Sequence, residues 1–160
     1  MGQFDLSEKL KEELRKRNLL EQEEDQEEET EETSEDTDNN GDFCEMVCQL
    51  LHSQTQVHIF HLGTKSYAEH KALQGYYEGI DALTDGLVES YQGKYGLLTN
   101  YKSFKTLSYK NKQQVLKYFT SLLNTIEEKR DCCEDSYIQN QIDTVQELIY
   151  STMYKLKFLS

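Results

Sequence analysis

A chain of 160 residues with 36% hydrophobic content can support one domain and an appendage, but not a second core. Its formal net charge of -13 is uneven: residues 21–42 hold thirteen Asp and Glu and no Lys or Arg, whereas 1–20 net +1 and 43–160 net -1. There is no run apolar enough for a membrane span, no signal-peptide pattern and only four cysteines, so the expectation is a cytoplasmic protein without a membrane partner.

Residues 1–20 open the chain with Phe4, Leu6, Leu10 and Leu14 spaced for one helical face, and with Asp5 and Glu8 in a capping-box relation. Such a helix is too short to be stable alone and is expected to dock, either on this domain or on a protein partner. Residues 21–42 contain no apolar side chain that would offset the entropy of ordering them, and they are expected to form a disordered acidic tether.

From 43 to 160 the pattern predicts four helices. Phe43, Met46, Val47, Leu50, Leu51, Val57 and Phe60 mark the first, with Gly63 expected to close it in a left-handed turn. Tyr67, Leu73, Tyr76, Tyr77, Ile80, Leu83, Leu87 and Tyr91 mark the second, ending near Gly93 and Gly96. Val115, Leu116, Phe119, Leu122, Leu123 and Ile126 mark the third, and Ile138, Ile142, Val145, Leu148, Ile149, Met153 and Leu156 the fourth. No strand-like alternation competes, and there is no proline to interrupt a helix.

Short links join the first helix to the second and, around Asp131–Ser136, the third to the fourth, so each pair is an antiparallel hairpin. Roughly eighteen residues, 93–110, separate the pairs, with a short helix expected at 101–107. One long mid-chain crossover is the connectivity of a ferritin-like bundle, so the expected fold class is all-α: a ferritin-like four-helix bundle with a long crossover between helices 2 and 3.

Within this frame four potential metal ligands stand out. His61 and His70 lie nine apart, at the end of the first helix and the beginning of the second; Asp85 and Glu89 follow fifteen and nineteen residues after His70. In a single helix His70 and Asp85 are about 22 Å apart along the axis, beyond the reach of one metal ion. A two-fold mate whose helix runs the opposite way brings them together, which implies a site between subunits. Imidazole and carboxylate ligands with open coordination positions suit binding and oxidation of Fe(II). Each of these residues also has an ordinary reading as a surface or capping group. Cys44, Cys48, Cys132 and Cys133 offer a conceivable zinc set, but unpaired thiols more commonly serve as small buried hydrophobes.

The stretch HLGTKSYAEHKALQGYYEGIDALTDGLVE, from His61 to Glu89, resembles the Dps-like miniferritins of the ferritin family, in which an early histidine of the second helix is followed fifteen residues later by D-x-x-x-E. Gly93 to Leu107 is similar to that family's crossover and Gln141 to Leu159 to its last helix, so the resemblance covers about 43–160. It implies an intersubunit ferroxidase centre, His61 and His70 from one chain with Asp85 and Glu89 from a two-fold mate, and a homo-oligomer, at least a dimer and typically a dodecameric shell that stores iron. The family usually spaces its histidines twelve apart; His58 restores that gap, so it stands as the substitute for His61. No histidine here has Glu three residues before it, which argues against the di-iron site inside the bundle found in larger ferritins.

The family's DNA binding uses basic tails, and an acidic segment in that place should repel a polyanion, so DNA binding is not expected. Some tailed-phage and other mobile-element proteins resemble miniferritins, and the Lys/Tyr/Asn-rich composition is compatible with such a source, in host cytoplasm or virion. The alternative function is a structural or adaptor protein, virion-associated, with a vestigial metal site and an N-terminal helix that docks a partner.

Overall fold

The computed structural model describes residues 33–159, with side chains from Asn40 onward. The chain divides into Met1–Asp38 and Asn39–Ser160, and the helical bundle belongs to the second unit. Its helices are α1 (Thr33–Gly63), α2 (Tyr67–Tyr95), α3 (Lys112–Lys129) and α4 (Ser136–Phe158), with one 3₁₀ turn at Arg130–Cys132. The architecture is an all-α four-helix arrangement, and no strand occurs among the described residues. The docking helix expected at 1–20 and the tether at 21–32 lie outside the described residues. Residues 33–42 are helical rather than a tether, since extending a helix already anchored at Asp42 and Phe43 costs far less than starting one.

Pairwise contacts fix the helix directions. Between α1 and α2 the Phe43 ring stacks on Tyr91 at 3.6 Å, and Ser53 Oγ meets Tyr76 Oη at 2.8 Å, so sequence order runs oppositely in the two. Lys129 Nζ bonds Asp42 at 2.6 Å while Phe60 packs edge-on against Tyr118, which sets α3 antiparallel to α1. Gln141 donates to Ser90 at 2.9 Å and Asp135 pairs with Lys94 at 2.6 Å, which sets α4 antiparallel to α2. Hence α1 and α4 point one way, α2 and α3 the other. The core between them includes Phe43, Met46, Phe60, Leu73, Tyr76, Ile80, Phe119, Ile126, Ile138 and Ile142, all fully buried. Each such side chain contributes about 1.5–3 kcal/mol relative to exposure.

Because α2 and α3 are parallel, residues 96–111 must travel the length of the bundle, and they do so beside α1. Five α1 positions spaced by four grip them. Cys44 Sγ donates to the Thr99 carbonyl, and Lys102 N–H donates to Cys48 Sγ, each at 3.2 Å. The His52 ring packs on Phe104, and burial lowers the His52 pKa, which favours its neutral form. Gln56 receives the Leu107 N–H at 2.7 Å and donates to the Leu107 carbonyl at 2.8 Å. Phe60 meets Tyr109 edge-on. No helix forms at 101–107, contrary to expectation, because Gln56 satisfies the backbone of Leu107 in an extended strap.

The glycines divide differently from the sequence reading. Gly96 caps α2 at φ 90°, and its N–H donates to the Gln92 carbonyl. Gly63 does not take up a positive φ; a Cβ there would lie 2.5 Å from Tyr109 Cβ, so this glycine admits the end of the strap against α1. Gly63→Ala should therefore destabilise the fold by about 1–3 kcal/mol. Urea denaturation followed by circular dichroism would measure the change.

At the opposite pole Asp135, the residue before α4, accepts hydrogen bonds from Lys94 and Tyr95. The Lys94 bond chiefly, then that from Tyr95, holds the Asp135 carboxyl below its ordinary range. A depressed folded-state pKa contributes stability that is present above the unfolded value, about 3.9, and lost as pH falls through the folded value. The melting-temperature gap between wild type and Asp135→Asn should accordingly hold steady from about pH 7 to about pH 5 and close below the ordinary aspartate range.

Candidate metal centre

The α1–α2 hairpin turns in three residues, 64–66, so the histidines on either side of it are forced together. Ser66 caps α2 by accepting the Glu69 N–H at 3.3 Å, and Thr64 Oγ1 accepts the Ser66 N–H at 3.2 Å. Glu69 is buried and receives hydroxyl hydrogen bonds from Thr64 at 2.8 Å and Tyr109 at 2.7 Å. The turn is thereby tied to the end of the strap. None of Thr64, Glu69 and Tyr109 was singled out from sequence, although S-x-x-E at 66–69 is a capping-box pattern that points to this helix start.

Above that network His61 and His70 stack with ring centroids 3.6 Å apart and planes 26° from parallel. Each locks the other: His61 Nδ1 lies 2.9 Å from the His70 carbonyl oxygen, and His70 Nδ1 lies 3.1 Å from the His61 carbonyl oxygen. A carbonyl only accepts, so both Nδ1 atoms carry the proton in the neutral rings and both Nε2 atoms keep a lone pair. Donation of one ring N–H to a backbone carbonyl is the arrangement that orients metal-binding histidines. Helix residue and carbonyl partner are each fixed by the other helix, which leaves the rings little freedom.

His61 is buried and His70 half-buried. His58 is exposed one turn earlier; it stacks on Tyr77 at 4.2 Å, and Tyr77 in turn meets His61 edge-on at 5.1 Å. The bond to a backbone carbonyl distinguishes His61 and His70 from His58, which is held by ring stacking.

Asp85 and Glu89 are exposed on the outer face of α2, one turn apart. The structure thus brings His61 and His70 together and leaves both carboxylates well along α2, about 22 Å from His70 to Asp85. Among the described residues no group of three or more His, Cys, Asp or Glu within the chain is placed to hold a metal ion. The four cysteines are free; Cys44 and Cys48 face the strap, and burial pushes the Cys132 thiol up to about 12, so it is inert as a nucleophile at neutral pH. No described helix is long and apolar enough to cross a membrane.

Two open depressions lie along the outer face. One, of about 260 Å³, is lined by His58, Ile59, Leu62 and Tyr77; the other, of about 560 Å³, by Leu51, Ala82, Asp85, Val88 and Tyr101. Chemically, the hairpin pole holds two fixed imidazoles, His61 buried and His70 half-buried, and the exposed carboxylates Asp85 and Glu89 lie further along α2.

Heteronuclear ¹H–¹⁵N long-range spectra at about pH 8 should show both His61 and His70 as Nδ1–H tautomers, because neutral rings here have a carbonyl to donate to. An Nε2–H pattern at either ring would contradict the reciprocal lock.

The model of a protein family of unknown function, DUF5856, matches residues 61–156, three fifths of the chain. The match starts at His61 and takes in His70, Asp85, Glu89, the strap, α3 and most of α4. No curated protein and no solved structure matches the chain. The chain belongs to the DUF5856 family.

Proposed function

We propose that this DUF5856 protein is a miniferritin-like ferroxidase, which binds Fe(II) as its substrate between two antiparallel copies and oxidises it to Fe(III). The observation that carries the reading is the reciprocal lock of His61 and His70, which holds two Nε2 lone pairs in place at the hairpin pole. His61 and His70 of one copy supply nitrogen ligands, and Asp85 and Glu89 of the mate supply oxygen ligands. His61, not His58, is the ligand, since its ring is the one anchored through Nδ1.

Each Fe(II) releases one electron, and dioxygen or hydrogen peroxide accepts it and leaves reduced and protonated. Carboxylates stabilise the higher charge of the Fe(III) that forms. The strap from α2 to α3 supports a ferritin-like reading of the connectivity, as α1 and α4 are parallel to each other and antiparallel to α2 and α3. A hollow homo-oligomeric shell is the storage form that the resemblance implies.

Stopped-flow absorbance of Fe(II) oxidation by hydrogen peroxide tests the reading. The wild type should oxidise Fe(II) well above buffer, and His70→Ala or Asp85→Ala should each lower the initial rate by about 100-fold. Mixing the two variants should restore part of the activity, because heterodimers retain one intact intersubunit site. A wild-type rate equal to buffer removes the enzymatic function and leaves the adaptor alternative.

A further inference from the structure

Tyr67 opens α2 and is the most exposed aromatic side chain of known burial on the hairpin face, at 78% of its full accessibility. Among the described residues no hydrogen bond or ring contact engages it, and an aromatic ring of this size left in water is the kind of residue that anchors interfaces. At 100° per residue it shares the outer face of α2 with His70, Asp81, Asp85 and Val88. The same face is electrically polar. Its beginning carries Lys71, beside Lys65 in the turn, whereas Glu78, Asp81, Asp85 and Glu89 follow with no α2 cation between Lys71 and Lys94.

We infer that the 560 Å³ depression is the socket for Tyr67 of a second copy of this chain, so that two reciprocal tyrosine anchors hold the dimer whether or not iron is bound. The inference deepens the intersubunit reading and rests on it for register. Placing His70 opposite the partner's Asp85 puts the two-fold axis beside Tyr77 and Glu78, and this single choice fixes every other pair. Position 67 then faces position 88, and Val88 lines the depression together with Leu51, Ala82 and Tyr101. The apolar wall receives the ring, and the carboxylate of Asp81 at the rim is placed to accept its hydroxyl hydrogen.

Charge complementarity commits the socket to a second copy of the chain. In that register Lys65 and Lys71 of each molecule lie over the partner's acidic half of α2, and each molecule receives the same in return. Parallel stacking would instead place acid over acid. Long-range attraction of this kind weakens as salt shortens the screening length.

The test uses the full chain in chelator, with sedimentation equilibrium as readout and circular dichroism to verify folding. Wild type should be dimeric or larger, with a dissociation constant that rises with salt. Tyr67→Glu and, from the socket side, Ala82→Arg should each raise that constant by about 30-fold or more, while Tyr67→Phe stays within a few fold of wild type. Both substituted positions are exposed, so the variants should fold. A monomeric wild type, or Tyr67→Glu and Ala82→Arg variants that associate like wild type, overturns the socket. A wild type that dimerises through Tyr67 yet leaves Fe(II) unoxidised supports this inference while removing the ferroxidase function; rapid oxidation by a Tyr67→Glu variant that remains dimeric does the reverse.

Discussion

Three residues, 64–66, join α1 to α2, and the antiparallel register they impose governs the rest of the molecule. Phe43 on Tyr91, Ser53 on Tyr76 and His61 on His70 are successive rungs of that one register, from one pole to the other. A shift by a single residue would move each rung by about 100° around its helix and break all of them at once. The turn is accordingly braced more heavily than a surface loop needs: a serine cap, a threonine hydroxyl and a buried carboxylate hold it, and Tyr109 reaches in from the end of the strap. The same bracing that sets the core sets the two imidazoles, so fold and candidate chemistry share one constraint.

What the sequence revealed, and what it hid, follows from the distance over which each signal acts. Helical periodicity is local, and most apolar positions read from it, such as Phe43, Tyr76, Phe119 and Ile142, are buried in the core, whereas Leu51 and Tyr67 of the same pattern are exposed. Hairpin pairing followed from short loops, and the closeness of His61 and His70 followed from the hairpin. The strap is hard to read locally, because Tyr101, Phe104 and Leu107 recur every three residues and so mimic a helix. Its backbone partners lie 51 to 55 residues back on α1, and no local pattern announces them. The role of Gly63 is non-local too: the need for a missing Cβ comes from Tyr109, far along the chain, and not from its own φ. Position 33 as the start of α1 was hidden too, since composition measures whether a segment can nucleate order, not whether a neighbouring helix will extend into it.

The chemistry of the candidate site turns on the difference between holding a ring and holding a metal. Within one chain the paired histidines are oriented each by the other's backbone, and among the described residues no third ligand joins them in a metal-holding group. Glu78, Asp81, Asp85 and Glu89 on α2 are exposed. Under the proposed function the separation of imidazoles and carboxylates is what makes association and chemistry one event: an isolated copy would be unable to oxidise iron in solution, where the product would precipitate.

The grip of α1 on the strap carries a consequence for how the molecule is built. Cys44, Cys48, His52, Gln56 and Phe60 are brought to the strap by α1 itself, because a helix sets residues four apart beside one another, one turn on. The connecting segment therefore has no template until α1 has formed, and it must close a loop of about fifty residues to reach each rung. The strap thus depends on α1 for its place. On unfolding, the extended connection is the natural first part to peel away, and its loss would open the bundle along one seam while the α1–α2 pair stays zipped.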